Sequence, residues 1–247
     1  FKQKTAYEIA SCLVGSEARI ANVDPAYLKP YDGDVSNEQR VRWVMDWLNL
    51  PPAKKPHFIG LYFSDVDSAG HVYGPDSGEV EKAVIDIDTQ LGLLKKFVAD
   101  KKMDVQFVLV SDHGMRSIDK TVDITSVSVL KGFQTSGQGA VVHFYSDDSA
   151  AVDQAYQQLK KIPGEFDVYK GSELPAQWQL DDPDRRGDLV VVAQPGVYIG
   201  FKQGFAPKPL IGSSYKATHG WELQTSSELQ GLFIASGSLF KKGLKIK

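Results

Sequence analysis

Apolar positions along the chain fall into short blocks, and their spacing changes from block to block. Val41, Val44, Met45 and Leu48 recur at helical spacing, and Ser36 followed three residues later by Gln39 forms a capping box. The LPPAKKP stretch from Leu50 stops that helix, because proline lacks an N–H and crowds the preceding turn. Residues 58–63 (FIGLYF) are continuously apolar and predict a buried strand. From Ser77 onward, Val80, Val84, Ile87, Leu91, Leu94 and Val98 are spaced 4, 3, 4, 3, 4, which predicts a long helix. Residues 105–110 (VQFVLV) predict a second buried strand. Strand, long helix, strand implies a βαβ unit with a right-handed crossover in a parallel sheet.

The pattern then changes. Residues 139–145 read as a strand and 150–161 as a helix. Residues 189–193 and 197–201 flank a Gln-Pro-Gly turn and suggest a hairpin. Residues from about 120 to 203 therefore read as a small α+β insertion, after which a strand at 232–235 returns to the main sheet. Residues 27–34 read as turns. The fold class is α/β, a mainly parallel sheet flanked by helices.

The two ends read differently from the rest. Residues 1–17 resemble translated adapter or vector sequence, the alternative being a short natural strand or helix. On the adapter reading Cys12 is foreign, and residues 18–247 read as an internal piece of a longer protein, incomplete at both ends.

Composition narrows the function classes. The chain has 247 residues, enough to bury a sizeable core. A net charge of −3 gives no basic field for duplex nucleic acid or a membrane surface. No apolar run approaches the roughly 18 residues of a membrane span. A single cysteine excludes a disulfide framework and a cysteine zinc site. There is no H-E-x-x-H and no G-x-S-x-G. GFQTSGQG, from Gly132, has Walker-like glycines but Gln138 in place of the lysine, and reads as a loop. No protein partner is indicated.

Chemistry concentrates at three places beside strand-like runs. These are DVDSAGHVYGP from Asp65, SDHGM from Ser111 and THGW from Thr218. In open α/β sheets ligands bind at the carboxyl ends of strands. His71, His113 and His219 each neighbour a glycine, whereas His57 and His143 sit beside phenylalanines and read as structural. Asp67, His71, Asp112, His113 and His219 make five candidate metal ligands, with Asp65 a rival to Asp67. Carboxylate plus imidazole suits Zn²⁺. Five ligands are too many for one tetrahedral ion and one short of two three-ligand sites. A paired-metal centre suits phosphoryl transfer.

The strings YLKPYDGDVSNEQRV, GLYFSDVDSAGHVYGPDS, VLVSDHGM, RRGDLVVVAQPG, ATHGWE and FKKGLKIK resemble the nucleotide pyrophosphatase/phosphodiesterases, within the alkaline phosphatase superfamily. They run in family order over nearly everything after Gly15. The resemblance implies two zinc ions, one held by Asp67, His71 and His219, the other by Asp112 and His113. The second site would be incomplete here, because its further Asp and the bridging Thr or Ser nucleophile belong to an upstream portion that the sequence does not contain. Family spacing favours Asp67 over Asp65. The implied reaction is double displacement at phosphorus, releasing nucleoside monophosphate, and the chain on its own is expected to be inactive. Tyr31 and Tyr62 match positions that stack the nucleobase. Alternatives are a choline-type headgroup phosphodiesterase or a non-catalytic metal-binding fragment. The family implies a periplasmic or extracellular location.

Overall fold

The computed structural model describes residues 12–14, 25–124, 130–162, 164–180, 182–183, 185–200 and 215–245. The chain divides into two units, one of residues 1–68, 78–108 and 235–247, the other of residues 69–77 and 109–234. In the first, strand β1 (Cys12–Val14) lies between β2 (Tyr27–Lys29) and β3 (Ile59–Leu61) in a parallel sheet, with Leu13 opposite both Leu28 and Gly60. Helix α1 (Asn37–Leu48) begins where the Ser36 hydroxyl accepts the Gln39 N–H at 3.2 Å. Helix α2 (Asp65–Tyr73) follows β3, with residues 65–68 in the first unit and 69–73 in the second, and α3 (Gly78–Asp100) belongs to the first. Val41, Val44, Trp47 and Leu48 of α1 pack with Leu94 and Val98 of α3, and Ile59 and Leu61 of β3 close that core. Burying each such side chain contributes about 1.5–3 kcal/mol. Asn37 Nδ2–H donates to Asp86 Oδ2 at 3.0 Å and fixes the register of α1 on α3.

Strand β4 (Phe107–Val110) pairs with the last strand of the chain, 233–236. The second unit holds β5 (Arg116–Ser117), β6 (Lys120–Asp123), β7 (Gln134–Ser136), β8 (Val141–Tyr145), helix α4 (Ser149–Leu159), β9 (Phe166–Lys170), β10 (Leu189–Ala193), β11 (Val197–Gly200) and β12 (Ala217–Thr218). The antiparallel sheet β7-β8-β10-β9 is its largest, and β11 runs parallel to β6. One sheet face, with Val142, Phe144, Leu189, Val191 and Val168, packs on Val152, Ala155 and Leu159 of α4. The Asp148 carboxylate caps α4, accepting the N–H groups of Ala150 and Ala151.

Several expectations change. β13 (Phe233–Ser236) pairs with β4, and β3 pairs with β1, so among the described residues β3 and β4 do not share a ladder. The runs at 58–63 and 105–110 contain shorter strands than expected, and they are not buried throughout. Phe58, Tyr62, Val108 and Val110 are exposed, Val110 to 61%. Only the C-terminal part of α3 is buried, and Val84 is exposed. β10 and β11 form no hairpin. The Val197 N–H does close the Gln-Pro-Gly turn onto the Gln194 carbonyl, but β11 then leaves to join β6. Residues 27–29 are a strand rather than a turn, and 134–136 of the Walker-like stretch are strand β7. Of the stretch read as adapter sequence, only β1 is described; the rest lies outside the described residues.

Candidate metal centre

The DVDSAGHVY segment, expected as a glycine-softened loop, is helix α2. The Ser68 N–H reaches the Ser64 carbonyl at 3.0 Å, and Asp65 and Asp67 occupy the first turn, where carboxylates favour the helix dipole. Gly74, at φ 96°, ends the helix, a conformation glycine adopts without steric cost. Asp67 and His71 are one helical turn apart and so share a helix face.

His71 is anchored by the approach to β12. Its carbonyl accepts the Lys216 N–H at 2.8 Å, and its Nδ1 lies 2.9 Å from the Ala217 carbonyl oxygen. A carbonyl can only accept, so Nδ1 carries the proton and Nε2 presents a lone pair. That is the tautomer of a metal-binding imidazole backed by a backbone acceptor. The Tyr215 ring stacks on His71 at 4.6 Å between centroids.

His219 follows β12, and Gly220 at φ 104° turns the chain behind it. Asp67, His71 and His219 each offer one ligand atom, these atoms lie within 4.8 Å of one another, and all three residues are half-buried. Among the described residues this is the one group of three or more such side chains. Bonds of about 2.0–2.1 Å in a tetrahedron would set ligand atoms about 3.3 Å apart, so small side-chain movements close the group on an ion. One carboxylate and two imidazoles suit Zn²⁺, and three protein ligands leave a position for substrate or water.

The SDHGM segment is a loop clamped to residues 229–232. Ser111 N–H donates to the Leu232 carbonyl at 3.1 Å, the Leu232 N–H donates to Ser111 Oγ at 2.7 Å, and the Gly114 N–H donates to the Leu229 carbonyl at 2.8 Å. His113 stacks on His219 with centroids 3.4 Å apart and planes 14° apart. Its Nδ1 donates to the Gly114 carbonyl at 2.8 Å, which leaves the lone pair on Nε2, 3.6 Å from Asp112 Oδ1. The Asp112 carboxylate is 78% exposed. Asp112 and His113 thus stand as a pair beside His219.

Tyr31 and Tyr62, in the first unit, meet edge to face at 6.0 Å, and both rings are exposed. Tyr31 OH donates to Ser64 Oγ at 3.2 Å. The Arg40 guanidinium lies 5.5 Å from the Tyr31 ring centroid and donates to the carbonyls of Asp32 and Val35 at 2.6 and 3.2 Å. The other histidines lie elsewhere. His57 is exposed in the loop before β3. His143, on β8, accepts the Gly187 N–H through Nδ1 at 3.2 Å, and burial lowers its pKa. Sequence reasoning missed Tyr215 and Arg40. Tyr215 stands two residues before the ATHGWE string, and Arg40 lies within YLKPYDGDVSNEQRV with no local cue to its partner.

The type I phosphodiesterase/nucleotide pyrophosphatase family description matches residues 2–222. The chain belongs to that family. Ectonucleotide pyrophosphatase/phosphodiesterase family member 1 of Mus musculus is 29% identical over 94% of the chain, and the human family member 5 is 27% identical over 92%. The chain spans 26% of the first and 46% of the second. Murine ectonucleotide pyrophosphatase/phosphodiesterase 5 superposes with a TM-score of 0.83 at 25% identity, covering 97% of this chain and 63% of that one. An inactive variant of that protein, in complex with AMP, gives 0.82. The α/β, alkaline-phosphatase-like fold expected from the sequence is the fold of these structures.

Proposed function

We propose that this chain carries the metal-binding and base-binding parts of an enzyme that hydrolyses phosphodiester or pyrophosphate bonds in nucleotides, releasing nucleoside monophosphate. The convergence of Asp67, His71 and His219 to within 4.8 Å carries the reading. Two zinc ions fit it, one on those three residues and a second on Asp112 and His113. Bound zinc would supply Lewis-acid stabilisation of charge on the phosphoryl oxygens.

The chain's own residues orient the groups that would bind. The Ala217 carbonyl holds His71 in the tautomer that offers Nε2, and the Gly114 carbonyl does the same for His113. The exposed Tyr31 and Tyr62 rings offer a face for a nucleobase. The AMP bound by the murine relative's inactive variant supports a nucleotide over a choline headgroup. The insertion at about 120–203 contributes no metal ligand in this reading. In this reading the nucleophile is a Thr or Ser hydroxyl that these motifs do not themselves supply, and the protein acts outside the cytoplasm. Among the described residues no helix is long and apolar enough to cross a membrane.

The test is nitrophenolate release from the p-nitrophenyl ester of thymidine monophosphate with added zinc. The chain joined to the family's upstream segment should turn the ester over, the chain alone should not, and His219→Ala in the joined form should abolish release. Turnover that survives His219→Ala would refute the assignment.

A further inference from the structure

We infer that Met115 is a positioning residue, which docks on Gly70 and thereby fixes the tilt of helix α2, on which Asp67 and His71 are carried. The inference rests on the metal reading above and extends it to residues that touch no ligand. Gly70 is buried in α2, immediately before His71. A Cβ built there would lie 3.0 Å from Met115 Cε, 3.3 Å from Cγ and 3.7 Å from Sδ. Met115 therefore fills the space that a side chain at position 70 would need.

Residues 69–73 of α2 belong to the second unit, and other contacts of that unit act on them too. The Lys216 N–H on the His71 carbonyl and the His71 Nδ1–H on the Ala217 carbonyl both act at a single residue of the helix. The Met115–Gly70 contact adds packing to the helix one residue before these two bonds. Ala217 and Thr218 in turn pair with Ser117 and Arg116 of β5, and Met115 immediately precedes β5. The path from α2 to β12, across to β5 and back through Met115 to Gly70 is thus a closed circuit, and the Met115–Gly70 contact is its last link. A shift of α2 at Gly70 would carry the adjacent His71 and its ligand nitrogen with it. Methionine suits this place, because its unbranched thioether chain fills an irregular gap against a bare helix backbone.

Cobalt(II) titration of the full chain, followed by its visible d–d bands, tests the inference. Wild type should bind, and His219→Ala should not. Met115→Ala removes the wedge and Gly70→Leu displaces it, so each should weaken cobalt about tenfold or more, within the 10–100-fold range for residues that support ligands, and alter the bands. The Gly70→Leu/Met115→Ala double variant returns the volume from the other side of the contact and should recover most of the affinity and the spectrum. Met115→Leu, close in volume, should bind as wild type does. Single variants that bind cobalt like wild type, or that melt lower with unchanged affinity and spectrum, would overturn the positioning role and leave the metal reading intact. So would a double variant no better than the singles. No cobalt binding by wild type, or full binding by His219→Ala, would instead overturn the metal reading, and this inference with it.

Discussion

Replacing Gly114 by alanine tests how tightly the SDHG loop is seated. Gly114 is not among the positive-φ glycines, so alanine can take its backbone conformation and the only obstacle is space. The added Cβ would overlap the Glu228 carbonyl oxygen outright, with Glu228 C at 3.0 Å and Leu229 Cα at 3.1 Å. Carbon atoms prefer about 3.5–4.0 Å, so the two backbone segments must part by at least about half an ångström. That stretches the Gly114 N–H bond to the Leu229 carbonyl from 2.8 Å past the usual limit of about 3.2 Å. Overpacking costs about 1–3 kcal/mol and the weakened bond about 1. Restricting the unfolded chain returns about 0.4–1 kcal/mol. The net is a loss of about 1–3.6 kcal/mol, or a fall in Tm of about 2–14 °C for a chain of this size. His113 is the adjacent residue, so zinc binding that depends on it should weaken as well. Gly92→Ala is the control. It lies within α3 with nothing inside 4 Å of the added Cβ, and it should gain about 0.5–1 kcal/mol. Scanning calorimetry of both variants decides. A Gly114→Ala protein that melts within about 1 °C of wild type would refute the argument.

The strongest periodic signals in the sequence survive in the structure, and the losses have physical causes. Ser36 does cap α1, and the 4, 3, 4, 3, 4 spacing does mark α3. Periodicity reports which face is apolar, however, and not what covers it, so Val84 and Val110 are exposed although their patterns read as buried. Strand pairing is long-range and has no local code. The Gln-Pro-Gly turn forms, but β10 and β11 part because β6 offers β11 a parallel partner. At the site, residue type and spacing single out Asp67, His71, Asp112, His113 and His219, with Asp65 a rival to Asp67, and the family resemblance groups Asp67, His71 and His219, while the helical state of α2 is hidden. Gly70 and Gly74 read as loop residues, yet one is small because Met115 packs on it and the other ends the helix. Tyr215 and Arg40 act through partners 144 and 9 residues away in sequence, Tyr215 on His71 and Arg40 under Tyr31, and no motif announces either.

Three further outcomes are expected. Zinc competition with a chromogenic chelator should show His219→Ala losing the tighter site, built from three ligands, and His113→Ala only the weaker one; equal loss from both, or none from either, would dissolve the assignment. Tyr62→Ala should weaken nucleoside monophosphate binding to zinc-loaded protein by about 1–3 kcal/mol in calorimetry, while Tyr62→Phe keeps the ring face and the affinity; an unchanged Tyr62→Ala would remove the base-stacking role. The last concerns pH. Burial lowers the His143 pKa from 6.5, and Nδ1 accepts the Gly187 N–H, a bond that a proton on Nδ1 would break. The unfolded chain therefore takes up this proton at a higher pH than the folded one. The stability contribution is fully present above pH 6.5 and is lost as pH falls from there through the lower folded value. His143→Gln cannot titrate, so its Tm should fall less than that of wild type between about pH 7.5 and pH 5.5. Equal falls in the two proteins would mean that His143 takes its proton as readily folded as unfolded.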